Sequence, residues 1–192
     1  MSPRRRLLIL AAALTLTPLL ASQTATQSTA PKPPQLKLEI IPLKKTYFVG
    51  ETVFVKYRLT SLVVGTLCFA PPAREQTGGA GGYLKTDVTA PNGVDVDIFI
   101  DDVWPRSPTE QELRGDVANR WIKLGMSEPY TSRKKGRITV LSGAGKWVLK
   151  STYHPPDLKR DQRAIVESLG CAAPDQIVRS APVTIHVIDP QK

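Results

Sequence analysis

Gly50-Glu51-Thr52-Val53-Phe54-Val55-Lys56-Tyr57-Arg58-Leu59 alternates apolar and polar side chains at the two-residue period of a strand with one buried face. Val53, Val55, Tyr57 and Leu59 fall on one side, with Lys56, Arg58 and Thr60 on the other, so one face seeks a core and the other accepts water. Phe54 breaks the pattern. A strand of this kind needs a second apolar surface to cover it, and the flanking sequence supplies candidates on both sides.

Upstream, Leu36-Lys37-Leu38-Glu39-Ile40 alternates and halts at Pro42, and Tyr47-Phe48-Val49 leads into the Gly50-Glu51 turn, giving a first strand and its continuation. Downstream, Thr66-Leu67-Cys68-Phe69 is a short strand closed by Pro71-Pro72, and the glycine-rich Ala73 to Gly82 reads as a mobile loop. Tyr83 to Ala90 and Val94 to Ile100 flank Pro91-Asn92-Gly93, where proline presets the first turn angle and Gly93 can take a positive φ, so a hairpin is expected. Ser107-Pro108-Thr109-Glu110 combines an N-cap serine, a proline at the first helical position and a glutamate three residues after the cap, predicting a short helix that ends at Gly115.

Trp121 to Leu124 and Thr131 to Leu141 are further strand candidates, followed by a tight turn at Ser142-Gly143-Ala144-Gly145. Lys146 to His154 is the second clear strand, with Trp147, Leu149 and Tyr153 on one face and Lys150 and Thr152 on the other. Asp157 to Leu169 reads as an amphipathic helix capped by Asp157 and stopped by Gly170, inserted before the last strand. That strand, Ile177 to Ile188, tolerates Pro182 only at an edge or a bulge. Seventeen prolines and thirteen glycines, scattered without a repeat, suit many short strands and exclude a helical bundle or a collagen-like chain. The fold class is therefore all-β, an antiparallel β-sandwich with a short helical insertion before the last strand.

Arg4-Arg5-Arg6 precede an apolar run from Leu7 to Leu20, and Ala21 and Ser22 follow, the layout of a signal peptide over residues 1–22. The run is shorter than the roughly 20 residues a permanent span needs, so no membrane span is expected after cleavage. Residues 23–35, rich in Thr, Ser, Ala and Pro, form an extended spacer, and 36–192 form the domain. Without its leader the chain has 23 basic and 17 acidic side chains, a net charge of +6 that makes anionic envelope polymers candidate partners. The chain is expected to be periplasmic or secreted.

Tyr47-Phe48-Val49-Gly50-Glu51-Thr52-Val53-Phe54-Val55 and Gly145-Lys146-Trp147-Val148-Leu149-Lys150-Ser151-Thr152-Tyr153 resemble the second and penultimate strands of bacterial extracytoplasmic immunoglobulin-like domains. In those domains a Gly-Glu turn opens the second strand and a Gly-x-aromatic turn opens the penultimate one. Trp147 stands here where tyrosine is commoner. The resemblance implies an immunoglobulin-like sandwich and assigns no site, because such folds host many roles. In its strand order the connections bearing Cys68 and Cys171 emerge at one pole, and an exported chain with two cysteines most simply joins them in a disulfide. Two unpaired buried thiols are the alternative.

Arg133, Lys134, Lys135 and Arg137, with Tyr130 beside them, form the sharpest basic cluster. They read either as a ligand patch or as lysines that protect a strand edge. Trp104, in a loop between Asp102 and Pro105, is the tryptophan expected to be exposed, whereas Trp147 is expected in the core. Asp95, Asp97, Asp101 and Asp102 lack the Asp-x-Asp-x-Asp-Gly order of a calcium loop and read as a solvated face. His154 and His186 are the only histidines and no C-x-x-C occurs, so no metal or cofactor is expected. No Gly-x-Ser-x-Gly elbow is present. The expected role is a non-catalytic module binding a protein or polymer at the cell envelope through the loops of the Cys68/Cys171 pole. Proteinase inhibition is the alternative and hydrolysis the third reading. No nucleic-acid partner is expected.

Overall fold

The alternation around Val53 produces β3 (Thr52–Ser61), in which Val53, Val55 and Leu59 are buried and Phe54 and Arg58 exposed. The computed structural model describes residues 33–71, 82–96, 108–132 and 136–191. The expected signal peptide, most of the expected spacer and of the glycine-rich stretch, the far half of the expected hairpin, Asp101, Asp102, Trp104, Ser107 and Arg133 to Lys135 lie outside the described residues. Gln35, assigned to the spacer, is tied into the domain: its carbonyl accepts Leu62 N–H at 2.9 Å and its Oε1 accepts Asp175 N–H at 3.0 Å.

β1 (Leu36–Pro42) pairs antiparallel with β3 along its whole length, from Leu36 opposite Ser61 to Pro42 opposite Val55. The other side of β3 takes β8 (Pro129–Thr131) and β9 (Gly136–Val140), both antiparallel, completing the first sheet. The second sheet is centred on β10 (Gly145–His154), which lies between β5 (Tyr83–Thr89) and two late strands, β11 (Val178–Arg179) and β12 (Val183–Ile188). The expected last strand is thus interrupted around Pro182, because proline offers no N–H to the ladder. Ser180 Oγ instead accepts Ser151 N–H at 2.9 Å. β6 (Asp95–Val96) completes the hairpin with β5 across Gly93, whose φ is +80°. The continuation of the first strand, β2 (Thr46–Phe48), changes sheets and pairs parallel with β12.

The two sheets share their buried side chains. Ile40, Val53, Val55 and Ile138 from the first meet Tyr47, Val88, Trp147, Leu149 and Ile185 from the second in one cluster. Leu36, Leu38 and Leu59 pack with Phe69, Tyr153 and Val178 in another. Tyr57 touches both clusters, and its hydroxyl lies 2.9 Å from Thr86 Oγ1, which lies 2.6 Å from Ser151 Oγ. This row of hydroxyls links β3 to β5 and β10 through the interior, where a buried polar group left unpaired would cost about 1–3 kcal/mol.

Both helices depart from their expected bounds. α1 (Glu110–Asn119) is capped by Thr109, whose Oγ1 accepts Glu112 N–H, while Glu112 Oε2 accepts Thr109 N–H at 3.0 Å. Ser107 and Thr109 each precede a glutamate by three residues, and the later register is used. The helix also passes through Gly115, because it brings Val117 beneath Leu113 on the buried face. Full burial of Val117 is worth about 1.5–3 kcal/mol, against about 1 kcal/mol lost for an interior glycine. α2 (Arg160–Ser168) starts after Lys159 rather than at Asp157, since Gln162 Oε1 accepts the Lys159 N–H at 2.9 Å and takes over the capping role. Gly170, with φ +75°, ends it as expected, while Leu169 is exposed rather than on the buried stripe.

Candidate functional site

The connections at one end of the sheets are built around Cys68 and Cys171. Cys68 lies in β4 (Leu67–Phe69), which pairs with β7 (Ile122–Leu124). Cys68 N–H donates to Ala172 O at 2.9 Å and Ala172 N–H to Thr66 O at 3.0 Å, bringing the cysteines into a disulfide with a Cα–Cα distance of 5.4 Å. Around it Ala70, Leu113, Val117, Trp121, Leu158 and Val166 form a third buried cluster, distinct from the two between the sheets. Gln162 Nε2 donates to Pro108 O, so the side chain that caps α2 also holds the segment entering α1. The two helices are therefore one unit braced by the disulfide. Trp121 is buried there and is no stacking platform; its Nε1 finds no partner among the described residues.

The solvent side of this end carries features that the strand-by-strand sequence reading does not anticipate. Leu62, Val64 and Met126 are exposed, Val64 to 88%. Ser127 N–H donates to Ser61 O at 2.9 Å, placing Met126 beside the turn that carries Leu62 and Val64. The signal is present in the sequence: Leu62-Val63-Val64-Gly65 continues an apolar run past the end of an alternating strand, where a turn should be polar.

Of the predicted basic patch, Arg137 alone is described. It is exposed on β9 opposite Phe54 of β3, on the outer face of the first sheet. Tyr130 does not join it, because its ring packs edge-on against Phe69 at 5.4 Å. Trp147 is in the core, with its Nε1 donating to Gly143 O at 2.9 Å. Asp95 is exposed and accepts Thr89 Oγ1–H at 2.7 Å. No metal-holding cluster of His, Cys, Asp or Glu occurs among the described residues, and none of their helices is long and apolar enough to cross a membrane.

At the opposite end an open groove of about 400 Å³ is lined by Leu43, Lys44, Tyr47, Glu51, Thr52 and Phe54. Glu51 pairs with Lys44 and accepts Phe48 N–H at 3.1 Å. The Lys44 hydrogen bond first, then that backbone N–H, hold the Glu51 carboxyl below the usual carboxylate range.

The outer face of the second sheet is basic near the disulfide end. Thr152 of β10 is opposite Lys85 of β5 on one side and Arg179 of β11 on the other. His154, two residues along the same face, lies opposite Tyr83, with ring centroids 5.7 Å apart. Burial first, then the charges of Arg179 and Lys85, keep its imidazole below the ordinary histidine value. No family model and no curated protein matches the chain. Its function is therefore read from these surfaces.

Proposed function

We propose that the chain is an exported, non-catalytic module of immunoglobulin-like β-sandwich architecture that binds a protein or an anionic polymer at or outside the cell envelope. The architectural reading is supported by two largely antiparallel sheets sharing one interior and by a first strand whose continuation changes sheets. One observation carries the binding role: the Cys68/Cys171 end has its own buried cluster under its connections, and exposed Leu62, Val64 and Met126 stand beside it. Recognition commonly sits on connections positioned by a rigid scaffold, and a braced end loses less conformational entropy on binding.

The test is affinity capture from solubilised envelope with the mature protein, a same-charge unrelated β-sandwich as control, and two salt concentrations. A Val64→Lys/Met126→Lys double variant is run beside them. A salt-resistant partner that the double variant loses while keeping its melting temperature supports the reading. Equal capture by parent, variant and control removes it. Proteinase inhibition has one specific support, the protruding Val64 turn anchored by the disulfide three residues beyond Gly65. Stoichiometric loss of protease activity on adding the mature protein, reversed by Val64→Lys, would favour that reading.

A further inference from the structure

We infer that Lys85, Thr152, His154 and Arg179 form a second site, on the outer face of the second sheet, that binds a tetrahedral oxyanion such as a sulfate or phosphate group. It is separate from the apolar surface at the disulfide end and stands whether or not that surface captures a partner.

The arrangement follows from register. Ser151 and Tyr153 are buried, so the period of two turns Thr152 and His154 outward. Lys85 and Arg179 occupy the positions directly across from Thr152 on its two neighbouring strands. With strands about 4.8 Å apart, Thr152 stands between the backbone positions of two cationic residues whose flexible stems can close on one anion. Thr152 contributes a donor, Arg179 a fork that can bind two oxygens at once, and Lys85 a point charge.

The charge balance favours an anion as well. Lys85 Nζ is 2.8 Å from Asp87 Oδ1, and Asp87 lies opposite Lys150 on β10. Facing His154 from the packed strands are therefore Lys85, Asp87 and Tyr83 of β5, Lys150 of β10 and Arg179 of β11. Among the described residues of this face, three permanent cations stand against one carboxylate. Like charges gathered on one rigid face repel, and a bound oxyanion relieves that repulsion. His154 reports it. The cations that disfavour its protonation are those the anion neutralises, so binding should take up a proton at the imidazole and strengthen as pH falls.

The experiment uses the mature protein in buffers of constant ionic strength, exchanging chloride for inorganic sulfate, with backbone amide and histidine ring resonances followed by NMR. The expected result is a saturable shift at Lys85, Thr152 and Arg179 together with an upward move of the His154 titration midpoint. Arg179→Gln and Lys85→Gln should each weaken sulfate binding about tenfold, the loss of one charge-assisted contact. His154→Gln should keep binding at high pH and lose its pH dependence. Shifts spread over all lysines, or unchanged affinity in both the arginine and lysine variants at an unchanged melting temperature, would overturn the site. Dextran sulfate, with uncharged dextran as control, separates the sources. Affinity per sulfate group about tenfold above that of the free ion assigns a polymer, through linked binding events; equal affinity assigns the free ion.

Discussion

The two ends of the sheets are held by different physics. At one, the chain reverses through short turns: Glu51 N–H to Phe48 O at 3.0 Å, Gly93 N–H to Ala90 O at 2.9 Å, and the Gly143-Ala144-Gly145 connection under which Trp147 is tethered. At the other, long connections are drawn together by the Cys68–Cys171 disulfide, 103 residues apart, and by a buried cluster to which the two helices contribute Leu113, Val117 and Val166. The turns of the first end close between near neighbours in sequence, although β2 and Gly50 there also bond to the distant Ile188 and Leu141 segments. The disulfide end depends on contacts made only after the sheets exist, so one bond there should govern a whole region.

The largest expected effect tests that asymmetry. Cys68→Ser/Cys171→Ser, or reduction, should cost about 2–5 kcal/mol by releasing a long loop in the unfolded chain. Amide exchange should accelerate first at Leu113, Val117 and Val166, while Val53 and Trp147 keep their protection until global unfolding. Uniform acceleration would mean that the two ends form one cooperative unit.

A turn-end substitution of smaller effect is Gly145→Ala. Gly145 has φ +133°, and an added Cβ would lie 2.8 Å from Pro91, so both backbone strain and a clash oppose it. The expected destabilisation is about 1–3 kcal/mol by chemical denaturation, with capture by the disulfide end unchanged. Loss of capture would show that the ends are coupled.

The smallest effect concerns Glu51. Its folded-state carboxyl is held below the usual range by Lys44 and Phe48 N–H. Its stabilisation is therefore fully present above the unfolded carboxyl value and lost as pH falls through the folded one. Glu51→Gln should show a small deficit in melting temperature at neutral pH that shrinks to nothing in acid and is reduced by salt, since the pair is solvent-exposed. A deficit independent of pH would assign the loss to packing.

How far the sequence can be read tracks the same division. The alternation of β3 and β10 and the Gly93 turn depend on residues a few positions apart, and each is legible, whereas Pro182, expected within a single last strand, separates β11 from β12. The helix starts are less so: Ser107 and Thr109 offer equivalent local caps, and burial of Leu113 and Val117 belongs to another part of the chain. The outward row of Lys85, Thr152 and Arg179 is invisible in the sequence because it spans three strands, two of them far from the third along the chain. Leu62-Val63-Val64, in contrast, carries a local signal, an apolar run in a turn, but its exposure depends on how the turn sits on the finished sheet.

By itself, then, the sequence determined the mostly β character, the burial of alternate faces and the position of the tight turns, because φ restrictions and the period of two act over a few residues. The tertiary structure decided that β2 would leave β1 for the other sheet, that Tyr57, Thr86 and Ser151 would meet, and that both helices would share one cluster around the disulfide. Those outcomes depend on which distant groups can desolvate together and still satisfy their hydrogen bonds, a condition set by the assembled interior.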